Sequence, residues 1–133
     1  MQESIQTDVQ TTEQTYLTVQ GAEVPALGFG TYHLPDDQVY DAVSTALDVG
    51  YRHIDTAMGY DNEIDVGRAI HDSGVPREDL WVTTKLLGYR EILFHDNMMD
   101  ATRNRLEQLD LEYLDLLLIH WWDGASDMAT VLE

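Results

Sequence analysis

The sequence contains no cysteine and a single lysine, Lys85, among its 133 residues. Without cysteine it can form no disulfide framework, no thiolate nucleophile and no thiolate metal site. Only 7 basic residues stand against 25 acidic ones, which argues against nucleic acid as a partner, because phosphate binding needs clustered Lys and Arg. There is no apolar run of about eighteen residues and no charged-then-apolar leader, so the sequence predicts no membrane span, no secretion and a cytoplasmic location.

The acidic residues are the most abundant feature, and they give a formal net charge of −18. They are scattered through segments with apolar periodicity and never stand more than two in a row, which indicates a folded protein with an acidic surface. Such self-repulsion destabilises the compact state unless salt screens it. We therefore interpret the composition as an adaptation to molar salt. An acidic protein that binds a basic partner is the alternative.

Apolar periodicity predicts strands that alternate with helices after a small hairpin. The hairpin is predicted at Tyr16–Val19 and Val24–Ala26, and the strands at Leu27–Tyr32, Tyr51–Asp55, Leu80–Lys85 and Leu114–His120. The helices are predicted from an Asp36 cap to Gly50, from Asn62 to Gly74, and from Asn97 to Gln108 with Asp96 as a cap. This alternation favours a parallel α/β sheet. A Rossmann sheet is the alternative, although the glycines of the first strand lack the full G-x-G-x-x-G spacing.

Side chains able to handle a proton stand where the predicted strands end. Asp55, Lys85 and His120 close three successive strands, and Tyr60 follows Asp55 by five positions. In a parallel barrel these ends share the face on which active sites are built. A phenol, an ammonium and a carboxylate that converge there form a proton-transfer set. Taken singly, the four residues have ordinary interpretations as a loop cap, a solvated amine, a core histidine and a half-buried aromatic.

Five stretches occur in the order typical of one known family. They are LGFGTY at Leu27–Tyr32, GYRHIDTAMGYDNE at Gly50–Glu63, VGRAI at Val66–Ile70, TTK at Thr83–Lys85 and YLDLLLIHW at Tyr113–Trp121. On these motifs the sequence resembles the aldo-keto reductase family. The resemblance implies an α/β fold: the N-terminal half, about four β/α units, of a (β/α)8 TIM barrel, preceded by a short β-hairpin at its bottom. Residues 1–15 are expected to form a flexible tail and residues 16–133 a partial barrel domain, with a further helix starting at residue 127.

The resemblance also implies an NAD(P)H-dependent oxidoreductase that reduces aldehydes or ketones to alcohols. Tyr60 would be the proton donor, and Lys85 would favour its ionised form. Asp55 would pair with Lys85, and His120 would orient the carbonyl of the substrate. A sequence with one lysine has kept it where this chemistry needs a compact ammonium, which the planar guanidinium of arginine does not replace.

The cofactor and the substrate pocket are likewise implied by the resemblance. NADP(H) would lie against Gly30, Thr31 and Asp55, and a small carbonyl substrate would lie against Tyr32 and Trp121. No metal is predicted, because the histidines lack ligand spacing. The pair Asn62–Glu63 is interpreted as a helix cap rather than a substrate contact.

Two departures from the family pattern keep other functions open. The connection from Lys85 to His120 is a couple of residues longer than in close members, and most of the family's cofactor-binding residues belong to the second half of the barrel. The alternative function is a non-catalytic half-barrel, a remnant or an interaction module, whose exposed strand edges would favour a homo-oligomer. A regulatory subunit of a membrane channel is a further alternative, supported by fold kinship alone.

Overall fold

The structure, a computed structural model, describes residues 13–122. This part of the chain begins with a two-stranded hairpin. Strand β1 (Tyr16–Val19) pairs antiparallel with β2 (Ala22–Pro25). Gln20 and Gly21 form the turn with φ values of 50° and 84°, as a two-residue hairpin requires. The hairpin is confirmed, but its predicted four-residue connection is wrong, because the left-handed turn lets Ala22 and Glu23 join the ladder. The helix predicted from residue 127 lies outside the described residues.

The remaining strands form one four-stranded parallel sheet. They are β3 (Gly28–Gly30), β4 (His53–Asp55), β5 (Trp81–Leu86) and β6 (Leu116–Ile119), in the spatial order β3-β4-β5-β6. The helices between them are α1 (Val39–Asp48), α2 (Glu63–Asp72), the single turn α3 (Arg90–Leu93) and α4 (His95–Leu109). The predicted parallel α/β order is therefore confirmed. None of the helices in the described range is long and apolar enough to cross a membrane.

The core lies between the helices and one face of this sheet. The predicted stripes of α1 and α2 supply buried residues such as Val43 and Val66, which pack with Ile54 and Val82 from the strands. Because side chains alternate along a strand, the neighbours of these strand residues point to the opposite face. That second face is the one that faces inward when a sheet closes into a barrel.

Helix boundaries depart from the sequence prediction where it relied on acidic caps. Helix α1 begins at Val39 with Gln38 as its N-cap residue, so Asp36 is not the cap. The reason is a preceding turn in which the Gln38 amide donates to the Pro35 carbonyl over 2.8 Å. Helix α4 begins at His95, which places Asp96 inside its first turn. Gly50 does end α1 as predicted, with φ of 107°.

Two predicted apolar surfaces are more exposed than expected. Met99, which the apolar spacing of α4 places in one stripe with Leu106 and Leu109, is 43% exposed. The nearly unbroken apolar run of β6 predicts a strand that is covered on both faces. In the structure, Leu116 and Leu118 are 38% and 39% exposed. Leu116 and Leu118 lie opposite Thr83 and Lys85 in the register with β5, so they share the inward face of the sheet, the face opposite the helices.

Gly67 allows α2 and α4 to pack at a distance that no side chain would permit. A Cβ atom at Gly67 would overlap the backbone carbonyl of Leu109. Backbone cannot turn aside as a side chain can, so we expect Gly67→Ala to lower the free energy of unfolding by about 1–3 kcal/mol. Urea unfolding followed by circular dichroism measures this change. Thr45→Ala, at an exposed position of α1, is the control, and an unchanged midpoint for Gly67→Ala would contradict the packing argument.

Candidate functional site

Lys85 is the centre of a polar cluster on the inward face of the sheet. Its Nζ donates to Asp55 Oδ1 over 2.5 Å, to the Thr56 carbonyl over 2.9 Å and to the Tyr60 hydroxyl over 3.3 Å. An ammonium has three donors, and all three are used. The Lys85 side chain is only 12% exposed, while that of Asp55 is 34% exposed. The cluster therefore fixes one positive charge between a carboxylate and a phenol.

Tyr60 reaches Lys85 because the connection from β4 to α2 is tightly folded. Residues Met58–Tyr60 form a single 3₁₀ turn, closed by the Tyr60 amide donating to the Ala57 carbonyl over 3.1 Å. Asp61 then takes a left-handed conformation with φ of 55°, which turns the chain into α2. These two bends return the phenol to the ends of the strands. The five-residue spacing between Asp55 and Tyr60 thus has a structural reason.

His120 lies on the other side of Tyr60. It directly follows β6, and its amide donates to the Leu86 carbonyl over 2.8 Å. The two rings meet edge to face, with centroids 5.5 Å apart at 77°. His120 Nδ1 is buried and has no hydrogen-bond partner within residues 13–122. The interpretation of His120 as a core histidine with satisfied nitrogens therefore does not fit, and the structure brings together all four residues predicted from the strand ends.

Aromatic side chains extend from Tyr60 toward solvent. The Tyr32 ring lies 5.0 Å from the Tyr60 ring and is 63% exposed. Trp121 is 39% exposed and packs perpendicular to Tyr89 at 4.8 Å. A Cβ at Gly88 would overlap the Trp121 carbonyl, so the two loops depend on a glycine there. Sequence reasoning missed Tyr89, because nothing local marks a contact between residues 32 positions apart.

Gly30 opens a space beside Asp55. The two residues are paired in the β3–β4 register, Gly30 is exposed, and a Cβ built on it would meet nothing within 4 Å. A flat group could approach the backbone there, which fits the nicotinamide end of the implied cofactor. Thr31 is different: it is fully buried and its hydroxyl lies 3.0 Å from that of Thr56. Its side chain holds the loop, and its assignment as a cofactor contact stays a prediction.

Asn62 and Glu63 do not act as the predicted cap. Neither side chain caps α2; Asn62 instead bonds to Thr31 and Thr56. Glu63 is buried behind the sheet, where it accepts from the Thr84 hydroxyl and from Arg105, each over 2.5 Å. Burial raises the pKa of Glu63, against the opposing effects of Thr84 and Arg105. Asn62 does stand at the N-cap position of α2, but the cap interpretation fails because both side chains bond to partners outside the helix terminus.

His53 adds a second imidazole on the inward face, two residues before Asp55. Its Nε2 lies 2.9 Å from the Thr83 hydroxyl. Burial lowers the pKa of His53, against the opposing effects of the Pro25 carbonyl and the Asp55 carboxylate, and this shift favours the neutral ring. Within residues 13–122, no three His, Asp or Glu side chains come together as a metal site.

Comparison with known proteins gives one consistent family. The model of the Aldo/keto reductase family matches residues 26–133. Over 110 residues the chain is 50% identical to Methylglyoxal reductase DkgB of Escherichia coli O157:H7, covering 83% of this chain and 40% of that protein. Two proteins of Saccharomyces cerevisiae, Aldehyde reductase YPR1 and Glycerol 2-dehydrogenase (NADP(+)), are each 50% identical over 101 residues, covering 76% of this chain and 31% of each of theirs.

Solved structures agree with the sequence matches. A putative 2,5-diketo-D-gluconic acid reductase B superposes with a TM-score of 0.82 at 38% identity, over 90% of this chain and 42% of that one. The aldo-keto reductase MGS-M4 from a Medee basin deep-sea metagenome library gives 0.77 at 44% identity, over 84% of this chain and 40% of its own. The chain therefore spans about 40% of the length of the first relatives it matches, and its sheet is part of a (β/α)8 barrel.

Proposed function

The chain belongs to the aldo/keto reductase family, and from that premise we propose that it carries the proton-donating half of an NADPH-dependent carbonyl reductase. Its reaction would reduce an aldehyde or a ketone to an alcohol. The observation that carries the proposal is the Lys85 ammonium, which joins Asp55 to the Tyr60 hydroxyl. A bare structural ion pair would not need a phenol as its third partner.

The contacts of the four side chains support the roles proposed for them. Tyr60 gives its hydroxyl proton to the carbonyl oxygen as the carbon is reduced. The Lys85 ammonium stabilises the negative charge left on the Tyr60 oxygen, since a fixed charge in a half-buried site needs no reorganisation. Asp55 holds that ammonium in place at 2.5 Å. His120, edge-on to Tyr60, can donate a hydrogen bond to the same carbonyl oxygen.

The space beside Gly30 and Asp55 is proposed to receive the nicotinamide of NADP(H). The cofactor would supply the hydride. Gly30 would admit the ring close to the backbone, and the partly exposed Asp55 would face it. The name of one yeast relative includes NADP(+), which supports NADPH over NADH here.

The substrate is proposed to be a small aldehyde or ketone. Relatives at half identity bear the names methylglyoxal reductase and aldehyde reductase. Tyr32 and Trp121 would line its pocket, because Tyr32 is exposed beside Tyr60 and Trp121 is exposed directly after His120 in the chain. We further propose a cytoplasmic protein that works at high salt, since a charge of −18 needs screening.

The test is NADPH oxidation by a protein in which this chain is part of a complete barrel, with methylglyoxal as substrate in about molar KCl. We expect saturable loss of NADPH absorbance that depends on the carbonyl. The chain by itself should be titrated with NADPH in parallel, followed through the fluorescence of its tryptophans. A folded complete barrel that binds NADPH but reduces no carbonyl would overturn the proposal.

Association of half-barrels is the second candidate, favoured by the edge of β6, which pairs with no further strand within residues 13–122. Leu116 and Leu118 on this edge strand are more than a third exposed, and an unpaired strand edge is a template for pairing. Two copies of the chain could in principle pair their edges and bury these leucines. Sedimentation of the 133-residue chain in molar KCl distinguishes the cases: a compact monomer would contradict association, and a dimer would support it.

A further inference from the structure

We propose that Asn62 is a positioning residue that holds the two groups to which Lys85 is anchored. It lies between the turn that carries Tyr60 and the first residue of α2, and it touches neither Lys85 nor Tyr60 in the contacts that define the cluster. The inference rests on the proposed role of Tyr60 only for its consequence in catalysis. The structural claim can be tested without any turnover.

Asn62 is buried, with only 4% of the residue exposed. Its side-chain amide both donates and accepts a hydrogen bond. Nδ2 donates to the Thr31 carbonyl over 3.0 Å, and Oδ1 accepts from the Thr56 hydroxyl over 3.1 Å. The Thr31 hydroxyl in turn donates to that of Thr56 over 3.0 Å. Each hydroxyl has one proton, so the shortest contacts form a single chain from Thr31 through Thr56 to Asn62.

This series of hydrogen bonds leads to two neighbouring residues that accept from Lys85. The Thr56 carbonyl accepts one Nζ donor, and the preceding Asp55 accepts another. The Thr31 amide donates to the Asp55 carbonyl over 3.0 Å, which ties the end of β3 to the same two residues. Asn62 therefore ties the segment that carries Tyr60 to Thr31 and to Thr56. Thr56 directly follows Asp55, so these bonds fix two neighbouring residues that accept from the Lys85 ammonium.

The amide of Asn62 suits both of its neighbours. The Thr31 carbonyl can only accept, and the Thr56 hydroxyl donates its single proton to Asn62, so the side chain at this position offers one donor and one acceptor. An aspartate would place a carboxylate oxygen against the Thr31 carbonyl in a buried site. An alanine would leave the Thr31 carbonyl with only the longer bond from the Leu34 amide, at 3.5 Å, and the Thr56 hydroxyl proton without its acceptor, which is costly where water is excluded.

Lys85 is the only lysine, which makes the measurement direct. Protein labelled with 13C and 15N in lysine gives one side-chain ammonium signal, and the exchange of its Nζ protons with water reports how well they are bonded. In Asn62→Ala we expect this exchange to become about tenfold faster or more, as follows from the loss of a buried hydrogen bond. Circular dichroism and urea unfolding establish that the variant is folded.

Asn97→Ala is the matched control, because Asn97 also donates to a backbone carbonyl, that of Glu91, but on the exposed start of α4. It should leave the Lys85 signal unchanged. A folded Asn62→Ala with unchanged Lys85 exchange would overturn the inference, even if its stability falls, since a merely structural role affects stability alone. Thr56→Val, which removes the hydroxyl that Asn62 accepts from and keeps the shape, gives the same test if Asn62→Ala does not fold.

Failure of the proposed function would look different. If Lys85 exchange responds to Asn62→Ala while the complete barrel reduces no carbonyl, the positioning role stands and the proposed activity falls. If the barrel is active but Asn62→Ala and Thr56→Val both leave the Lys85 proton exchange unchanged, the activity stands and the role of Asn62 is wrong.

Discussion

Replacing Tyr60 by phenylalanine is expected to lower the turnover number of the complete enzyme about 10²–10⁴-fold, the usual contribution of a positioned general acid. The ring would keep its contacts with Tyr32 and His120, at 5.0 and 5.5 Å. Only the hydroxyl that faces the Lys85 ammonium would be lost. Because that proton is transferred in the transition state, the effect should fall on kcat rather than on the binding of NADPH.

Steady-state rates with methylglyoxal and a parallel NADPH titration separate these two effects. Tyr16→Phe is the matched control, since Tyr16 is an exposed residue of the hairpin, remote in sequence from the cluster. It should retain the parent rate. A Tyr60→Phe enzyme with more than about a tenth of the parent kcat would be incompatible with Tyr60 as the proton donor.

The largest effect on stability is expected at Glu63. Glu63→Ala should lower the free energy of unfolding by about 3–5 kcal/mol, because it leaves the charge of Arg105 buried without its partner. The Glu63 and Arg105 side chains are 3% and 13% exposed, so water cannot replace the lost carboxylate. Arg105 Nε already has no partner within the described residues. The Thr84 hydroxyl would lose its acceptor as well.

Urea unfolding at constant salt measures this loss, and two comparisons interpret it. The double variant Glu63→Leu with Arg105→Met should recover most of the stability, since a buried pair replaced by apolar groups of similar volume is often neutral. Asp65→Ala removes one partner of an exposed pair with Arg68 and should cost no more than about 1 kcal/mol. Equal losses for Glu63→Ala and Asp65→Ala would contradict the buried-pair argument.

The pH dependence of the same pair has a definite sign. Burial raises the pKa of Glu63, so as the pH rises past its ordinary value the unfolded chain loses this proton before the folded protein does. The stability that comes from protonation of Glu63 is therefore fully present below the ordinary pKa and is lost as the pH rises through the raised one. Arg105→Met removes a charge that lowers the pKa of Glu63, so it should widen the window and enlarge the total fall of stability with pH. Urea unfolding at a series of pH values measures this fall, and Glu63→Gln, which cannot lose this proton, should not show it.

Local chemistry was enough to predict the order of elements and the identity of the central residues. Apolar spacing at Val39, Val43 and Leu47 marks one face of a helix, and that face is buried. Parallel strands end at the same edge of a sheet, so Asp55 and Lys85 were expected to meet, and their side chains do. The roles given to Gly30, Thr31, Tyr32 and Trp121 stay predictions.

By itself, then, the sequence determined the alternation of strands and helices, the motifs of the family and the single lysine at a strand end, because these depend on residues near one another in the chain. Only the tertiary structure decided that Asn62 bonds to Thr31, that Glu63 pairs with Arg105 42 positions away, and that the leucines of β6 stay exposed. The direction of a side chain between two packed elements depends on partners far along the chain, and the neighbouring residues in the sequence do not identify those partners.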